Sequence, residues 1–331
     1  MKTKSMSPTI SDVAKHAGVS IATVSRVLNS KNNVKDATKE RVYSAMSELG
    51  YAYSSSNEEK SNLIIMVLPG LDNPFYDKIV QGIQSSCKSH QYDSMMYICK
   101  DMDIRYRKLI EYLRIIRAHG IIILSPFSTS EPLYTINEIA PLVQCVEYHE
   151  NCPFPYVGVD DFSAAKNASQ HLINRGRRRI AFINGPQKYQ VYRRRYEGYG
   201  EAMKSAGLPL EPAYSVHVKE MGYDYALSAA SQLLQLKERP DAILAASDVY
   251  AAASIKAAAA AGLQVPHDIS IIGFDNTYLS SICHPTITAV NLPQFQLGYK
   301  AGEMLAERIR NPQGELQNSL LNTELVIRDS V

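Results

Sequence analysis

No apolar run in the 331 residues approaches the twenty or so needed to cross a bilayer as a helix, so membrane contact is not expected. Lys2 and Lys4 stand near the N-terminus with no apolar segment behind them, which argues against a secretory signal and for a cytoplasmic protein. The five cysteines, Cys87, Cys99, Cys145, Cys152 and Cys283, are odd in number and never spaced C-x-x-C. They read as reduced thiols, not as a disulfide frame or a zinc site. The eight histidines do not gather at metal-ligand spacing, so no metal is expected. A G-x-S-x-G elbow, a G-x-x-x-x-G-K-[ST] loop and a G-x-G-x-x-G turn after a strand are all missing. Tyr148-His149-Glu150 is a local trio at a strand end, but neighbours on an extended chain point alternately, which weighs against a joint role. Neither enzyme chemistry nor a cofactor is expected.

The length exceeds what one core serves and fits a small domain plus two medium ones. The net charge of +2 is unevenly spread. Residues 1–50 hold eight Lys and Arg against four Asp and Glu, a net +4, and the rest of the chain is mildly acidic. Phosphate contact by the small domain alone suits that asymmetry.

The stretch Thr9–Leu28 reads as two short helices and a tight turn. Thr9 caps the first helix with Asp12 as its capping-box partner. Ile10, Val13, Ala14 and Ala17 share an apolar face, Gly18 reverses the chain, and Ser20 caps a second helix whose Val24, Val27 and Leu28 return to the core. A third helix follows over about 36–49, stopped by Gly50. The middle helix keeps a face outside the core, as the recognition helix of a helix-turn-helix does. The candidate DNA contacts are Thr9, Ser20, Ile21, Ala22, Thr23, Ser25, Arg26 and Asn29. Ile21 and Ala22 suit thymine methyls, and Arg26 is the main candidate guanine reader. The alternative is a small helical cap with no ligand.

Asp12-Val13-Ala14, Ala17-Gly18-Val19-Ser20 and Thr23-Val24-Ser25-Arg26-Val27-Leu28-Asn29 resemble the signature of the LacI/GalR family of bacterial transcription regulators, with its spacing unbroken. Residues 52–62, AYSSSNEEKSN, form a polar linker. Most of the family has there a Pro-Asn followed by Ala-Arg-x-Leu, a hinge helix that wedges leucine into the minor groove. None of that is present, and Glu58 and Glu59 oppose phosphates.

From Leu63 onward, short apolar runs alternate with amphipathic helices. Strands are predicted over 63–69, 94–99, 120–126, 142–148, 156–160, 179–185, 242–247, 269–275, 288–293 and 324–330. Helices are predicted over about 77–90, 103–118, 163–175, 193–206, 223–236, 249–261 and 294–310. That alternation means doubly wound parallel sheets, with more strands than one open sheet comfortably takes. The expected fold is an N-terminal all-α helix-turn-helix head-piece (1–51), the linker (52–62), and an α/β core (63–331) of two Rossmann-like subdomains. The first is about 63–160 with 292–322, the second about 161–291 with 323–331. Pro74-Phe75-Tyr76, Val159-Asp160-Asp161, the run from Arg179 to Pro186, Arg195-Tyr196-Glu197-Gly198-Tyr199, Ser247-Asp248, Val265 to Asp275 and Glu324 to Arg328 also resemble the family. The resemblance implies a core similar to periplasmic sugar-binding proteins.

Ligands of such sheets bind beyond the carboxyl ends of the strands. The candidate effector contacts there are Phe75, Tyr76, Asp160, Arg195, Met221, Ser247, Asp248 and Asp275, with Asp161 beside them. One arginine and several carboxylates suit a polyhydroxylated ligand, with aromatics against its apolar face. For any one of these residues taken alone, loop capping or a surface ion pair is the stronger alternative, and Asp248 reads equally as a helix N-cap. The resemblance implies effector contact at Arg195 and Asp275; at Met221 some members place an aromatic. The basic run 175–179 reads as a solvated helix end. The Ala-rich helix after Asp248 can pack on its own sheet or on a second subunit.

The resemblance implies a sequence-specific transcription repressor controlled by a small effector. Its partners are a pseudo-palindromic double-stranded operator and, because one head-piece reads few base pairs, a second copy of the chain. Sugars are the family's commonest effectors. The absent hinge helix and the Gly273-Phe274-Asp275-Asn276 loop also resemble its cytidine-responsive branch, so the alternative is a nucleoside-responsive regulator acting with a second DNA-bound protein. A solute-binding protein is a remote alternative.

Overall fold

The computed structural model describes residues 8–28, 34–49, 51, 61–125, 127–314 and 317–331, in two compact units, Met1–Glu59 and Lys60–Val331. Gly50, Asn29 and residues 52–60 of the linker lie outside the described residues.

The small unit holds α1 (Ile10–Ala17), α2 (Ile21–Leu28) and α3 (Asp36–Leu49). Helices this short depend on their ends. At the start of α1 the Asp12 N–H donates to Thr9 Oγ1, while the Thr9 N–H and hydroxyl both donate to Asp12 Oδ2, at 2.8 and 2.7 Å. Those Thr9 bonds hold the Asp12 carboxyl below its ordinary range. Gly18 ends α1 at φ +64°, a left-handed conformation that a Cβ would strain. Ser20 then accepts the Thr23 N–H at 3.1 Å. Val13, Ala14 and Ala17 meet Val24, Val27, Val42 and Ala45 in one small core, and His16 Nε2 lies 2.7 Å from Glu48 on α3.

The large unit begins β1 (Leu63–Leu68), α4 (Phe75–Ser89), β2 (Asp93–Ile98), α5 (Met102–Ile116), β3 (Gly120–Ile123), α6 (Glu131–Ile139), β4 (Leu142–Cys145), β5 (Tyr156–Val159) and α7 (Asp161–Asn174). It continues with β6 (Ile180–Asn184), α8 (Gln190–Ser205), β7 (Ser215–His217), α9 (Tyr223–Leu234), β8 (Ala242–Ala245), α10 (Asp248–Ala260) and β9 (Ser270–Asp275). α11 (Tyr278–Ile282), β10 (Thr288–Asn291), α12 (Gln294–Arg310), β11 (Ser319–Leu321) and β12 (Glu324–Val326) close it. One sheet runs β11-β5-β4-β3-β1-β2, all parallel; the other runs β12-β10-β9-β8-β6-β7, parallel except for β12. Helices cover both faces, so inner strands such as β3 and β9 are buried along their whole length. The chain passes between sheets through α7, between Asn291 and α12, and between Leu321 and Glu324. This is the expected α/β core of two parallel sheets.

Two helix pairs pack backbone against backbone. A Cβ on Gly298 of α12 would fall 2.0 Å from the Ile79 carbonyl oxygen of α4, and one on Gly198 of α8 would fall 2.1 Å from the Phe162 carbonyl oxygen of α7. Among the described residues, α6, α11, β7 and β11 went unread in the sequence, as did a 3-10 turn at Pro212–Tyr214. Each is short, and β7 and β11 are three-residue strands, too brief for a period to show. No helix of the described residues is long and apolar enough to cross a membrane. The basic run 175–179 is a largely solvated helix end, with Arg175, Arg178 and Arg179 exposed, and it also ties loops together: Arg177 donates to Ser270 Oγ and the Pro266 carbonyl, and Arg178 to the Ile173 carbonyl. The Ala-rich α10 packs on its own sheet, with Ala251, Ala253, Ala257 and Ala258 buried.

Candidate functional site

In the small unit, burying Val24 and Val27 turns the opposite face of α2 outward. Ile21, Ala22 and Arg26 are exposed, and Thr23 and Ser25 are half-buried. Thr9, Ser20 and Thr23 have their hydroxyls in local caps, with Ser20 Oγ and Thr23 Oγ1 2.8 Å apart. Asn29 lies outside the described residues. The exposed side chains of α2 are therefore Ile21, Ala22 and Arg26.

In the large unit a cleft of about 490 Å3 opens where the carboxyl ends of both sheets face each other. It is lined by Phe75, Tyr76, Arg195, Met221, Ser247 and Asp275, six of the eight residues singled out in the sequence. Its volume is that of a small-molecule site.

Arg195 is the anchor. In α8's second turn, it points inward and is buried. Its Nε donates to Asp161 Oδ1 at 2.7 Å, its Nη1 to the Ala246 carbonyl at 2.7 Å, and its guanidinium lies 4.3 Å from the centre of the Phe274 ring. Burial works against the charge, but Asp161 and Asp275 more than offset it and hold the group protonated. Asp161 is itself pushed up by burial while Arg195 pulls it back.

Asp275 ends β9 at φ +96°, a conformation uncommon for a residue with a side chain. The Gln294 side chain holds its carbonyl. Its Oδ2 is buried and has no hydrogen-bond partner among the described residues, although the Asn73 side chain bonds to the carboxyl and, with Arg195, favours its charge. Burial pushes this carboxyl up to about 6, against the pull of Arg195.

Two sequence assignments need correction. Asp160 does not reach the cleft: it is exposed and caps α7, accepting from the Ser163 N–H at 3.1 Å and from its hydroxyl. The next residue, Asp161, carries the buried carboxyl, because the first helical residue turns its side chain inward where the cap turns outward. Asp248 neither caps α10 nor lines the cleft. Ser247 is the cap, its extended backbone aiming Oγ at the Tyr250 N–H, 3.2 Å away. Asp248 is buried beneath, where its Oδ2 accepts from the Thr277 N–H and, at 2.9 Å, from its hydroxyl. Burial and the neighbouring Asp275 push it up to about 8.

The sequence reading missed Glu147 and three of the four tyrosines on the walls, Tyr189, Tyr192 and Tyr250. Glu147 follows Val146, which stands at φ +74° after β4. The Val191 N–H donates to its carboxyl, and burial with Asp161's charge raises it to about 8. Tyr192 was legible: it lies one turn before Arg195 on the same helical face. Its hydroxyl is 3.1 Å from Met221 Sδ, so Met221 packs on a tyrosine wall. Buried acceptors, one paired arginine and aromatic walls can hold a small ring by its hydroxyls and its apolar face.

Residues 9–54 match the lacI family of bacterial regulatory proteins, and residues 169–331 match a periplasmic binding protein-like domain. The chain is 30% identical to the HTH-type transcriptional repressor CytR of Escherichia coli strain K12, over 99% of this chain and 98% of that protein. It is 33% identical to the ribose operon repressor of the same strain, over 97% and 99%. It superposes on the transcriptional regulator CelR–cellobiose complex with a TM-score of 0.76 at 29% identity, covering 98% of this chain and 100% of the other.

Proposed function

The chain belongs to the LacI family of bacterial regulatory proteins and is therefore a DNA-binding transcription regulator, and we propose that it is a repressor whose grip on its operator is set by a small polyhydroxylated effector. It works in the cytoplasm, where the operator is, as a homodimer whose two head-pieces read the halves of a pseudo-palindromic site. Residues 1–51 are the reading unit and 52–62 the linker. The subdomains of the core are 63–160 with 292–322 and 161–291 with 323–331. On α2, Arg26 reads guanine while Ile21 and Ala22 meet thymine methyls; Thr9, Ser20, Thr23, Ser25 and Asn29 complete the contacts.

The observation that carries the effector assignment is the unpartnered Asp275 Oδ2 beside the Arg195–Asp161 pair at the floor of the cleft. A buried acceptor of that kind asks for a donor, and vicinal hydroxyls supply two. Phe75, Tyr76, Met221 and Ser247 make up the remaining contacts. The ligand is held and not transformed, in keeping with similar proteins that are transcription regulators. A sugar is the first reading, supported by the similar regulator seen with cellobiose. A nucleoside is the second: Tyr76, Tyr189, Tyr192 and Tyr250 offer faces on which a base can stack. The linker composition favours action with a second DNA-bound protein in that case.

Calorimetric titration of cellobiose, D-ribose and cytidine, with gel-shift of the operator in their presence, tests this. One of them should bind and change operator affinity, and Arg195→Ala or Asp275→Ala should abolish the response while DNA binding stays measurable. A wild-type response in either variant would place the effector elsewhere.

A further inference from the structure

The floor of the cleft is rich in acceptors and its positive charge is already engaged. Arg195 is bonded to Asp161 and to the Ala246 carbonyl, each at 2.7 Å, and one face of it is covered by the Phe274 ring. Two more carboxyls, Glu147 and Asp275, open on the same cavity. The lysines of the lining stand at the mouth: Lys100 is held by Asp72 at 2.9 Å with its side chain mostly in solvent, and Lys188 and Lys219 are exposed.

Helices α4, α8, α9 and α10 begin at the cleft, and helix N-termini ordinarily welcome anions. At α4, α8 and α10 the protein's own groups take those places, and α9 has an acidic residue, Asp224, in its first turn. The Phe75 N–H of α4 donates to Asn73 Oδ1 at 3.0 Å, and the Tyr250 N–H of α10 donates to Ser247 Oγ. The Val191 N–H of α8 donates to the Glu147 carboxyl.

We propose that the cleft selects an uncharged, hydroxyl-bearing ligand and rejects its phosphorylated counterpart, with Asp275 as the discriminating residue and Glu147 occupying the place an anion would take. The proposal rests on the reading of this cleft as the effector site. A hydroxyl donates to Asp275 Oδ2 and leaves the charge of the floor unchanged. A phosphate dianion brings acceptors to an acceptor and adds negative charge where water does not screen it. The carboxyls of the site already register that resistance: burial, reinforced by Asp161's charge, raises Glu147 to about 8, and burial raises Asp275 to about 6 despite Arg195. Surroundings that oppose negative charge on their own carboxyls oppose it on a ligand lying between them.

The test is calorimetry at pH 7 on the full chain with matched pairs: cellobiose and cellobiose 6′-phosphate, D-ribose and ribose 5-phosphate, cytidine and cytidine 5′-monophosphate. In the pair that binds, the uncharged member should be at least a hundredfold tighter (about 2.8 kcal/mol at 1.4 per decade). Asp275→Asn, which puts an amide donor where the acceptor stood, should weaken the uncharged member and narrow that gap at least tenfold. Thermal unfolding of the variant checks that it folds; should it not, the wild-type pairs decide alone. A phosphorylated member that binds as tightly as its partner overturns the proposal and leaves the effector reading standing. Binding by no member of any pair overturns that reading, and the proposal with it.

Discussion

Replacing Arg195 by leucine should destabilise the large unit far more than a surface change, and Asp161→Asn should restore part of the loss. Arg195→Leu removes two charge-assisted hydrogen bonds and a ring contact from a site where both partners are about 4% exposed. It leaves Asp161 buried without a counter-charge, a situation that typically costs about 3–5 kcal/mol. The Ala246 carbonyl loses its donor as well, on the order of 1–3 kcal/mol. These costs overlap, because Asp161 can escape its share by taking up a proton, so the single variant should lose about 4 kcal/mol at pH 7. Asp161→Asn alone keeps an acceptor for the guanidinium and should lose about 2 kcal/mol. The double variant removes both members of the pair, Asp275 being left buried without Arg195 in either Arg195 variant, and its loss should fall short of the sum by about 2 kcal/mol. Urea unfolding at pH 7 and pH 5, followed by circular dichroism and by the emission of the 21 tyrosines in a chain without tryptophan, measures this cycle. Without Arg195 the folded-state pKa of Asp161 lies further above its unfolded value. The stability tied to its proton is then present at low pH and lost as pH rises, so the deficit of Arg195→Leu should be smaller at pH 5. Losses that add within 0.5 kcal/mol at both pH values, a margin expected for independent sites, would refute the claim that the pair is coupled.

Asp248 and Glu147, both raised to about 8, hold protons in the folded state that the unfolded chain gives up near pH 4. Each therefore contributes stability that falls by up to about 1.4 kcal/mol per pH unit until its folded pKa is passed. The thermal midpoint should drop between pH 6 and pH 8.5 and drop less in Asp248→Asn; a midpoint that rises over that window contradicts the assignment. Arg26→Ala should cost roughly 1–3 kcal/mol per half-site on the operator and relax preference at one base pair; equal losses on operator and random DNA in a binding titration would remove Arg26 as a reader. Gly298→Ala must push α12 off the Ile79 carbonyl, and overpacking of this kind costs about 1–3 kcal/mol or more, so its urea midpoint should fall clearly below wild type. A linker with no Pro-Asn and no leucine sets reach and not geometry; gel shifts on operators with added base pairs between half-sites should show a shallow dependence, and an approximately hundredfold fall for one added pair (roughly 2.8 kcal/mol) would speak for a rigid hinge.

The head-piece was legible because its signals are local. Thr9 with Asp12, Gly18 and Ser20 act within four residues of themselves, and the apolar spacing of Val13, Ala17, Val24 and Val27 needs only the helical period. The α/β core was legible for the same reason, since apolar runs between amphipathic helices leave few ways to bury both faces of a sheet. The sequence alone also marked Arg195 and Asp275 as ends of elements where ligands bind. It could not say which of two adjacent residues turns inward. Asp160 faces solvent and Asp161 the interior, and Ser247 caps where Asp248 was the candidate, because one backbone dihedral at the junction decides, and packing elsewhere sets that dihedral. Nor could it pair Arg195 with a carboxylate 34 residues before it and a carbonyl 51 residues after it, or place Glu147 on the N-terminus of α8. Those contacts exist only once two sheets have brought the ends of distant strands to one cleft, where loss of water, and not residue type, determines which carboxyls are charged.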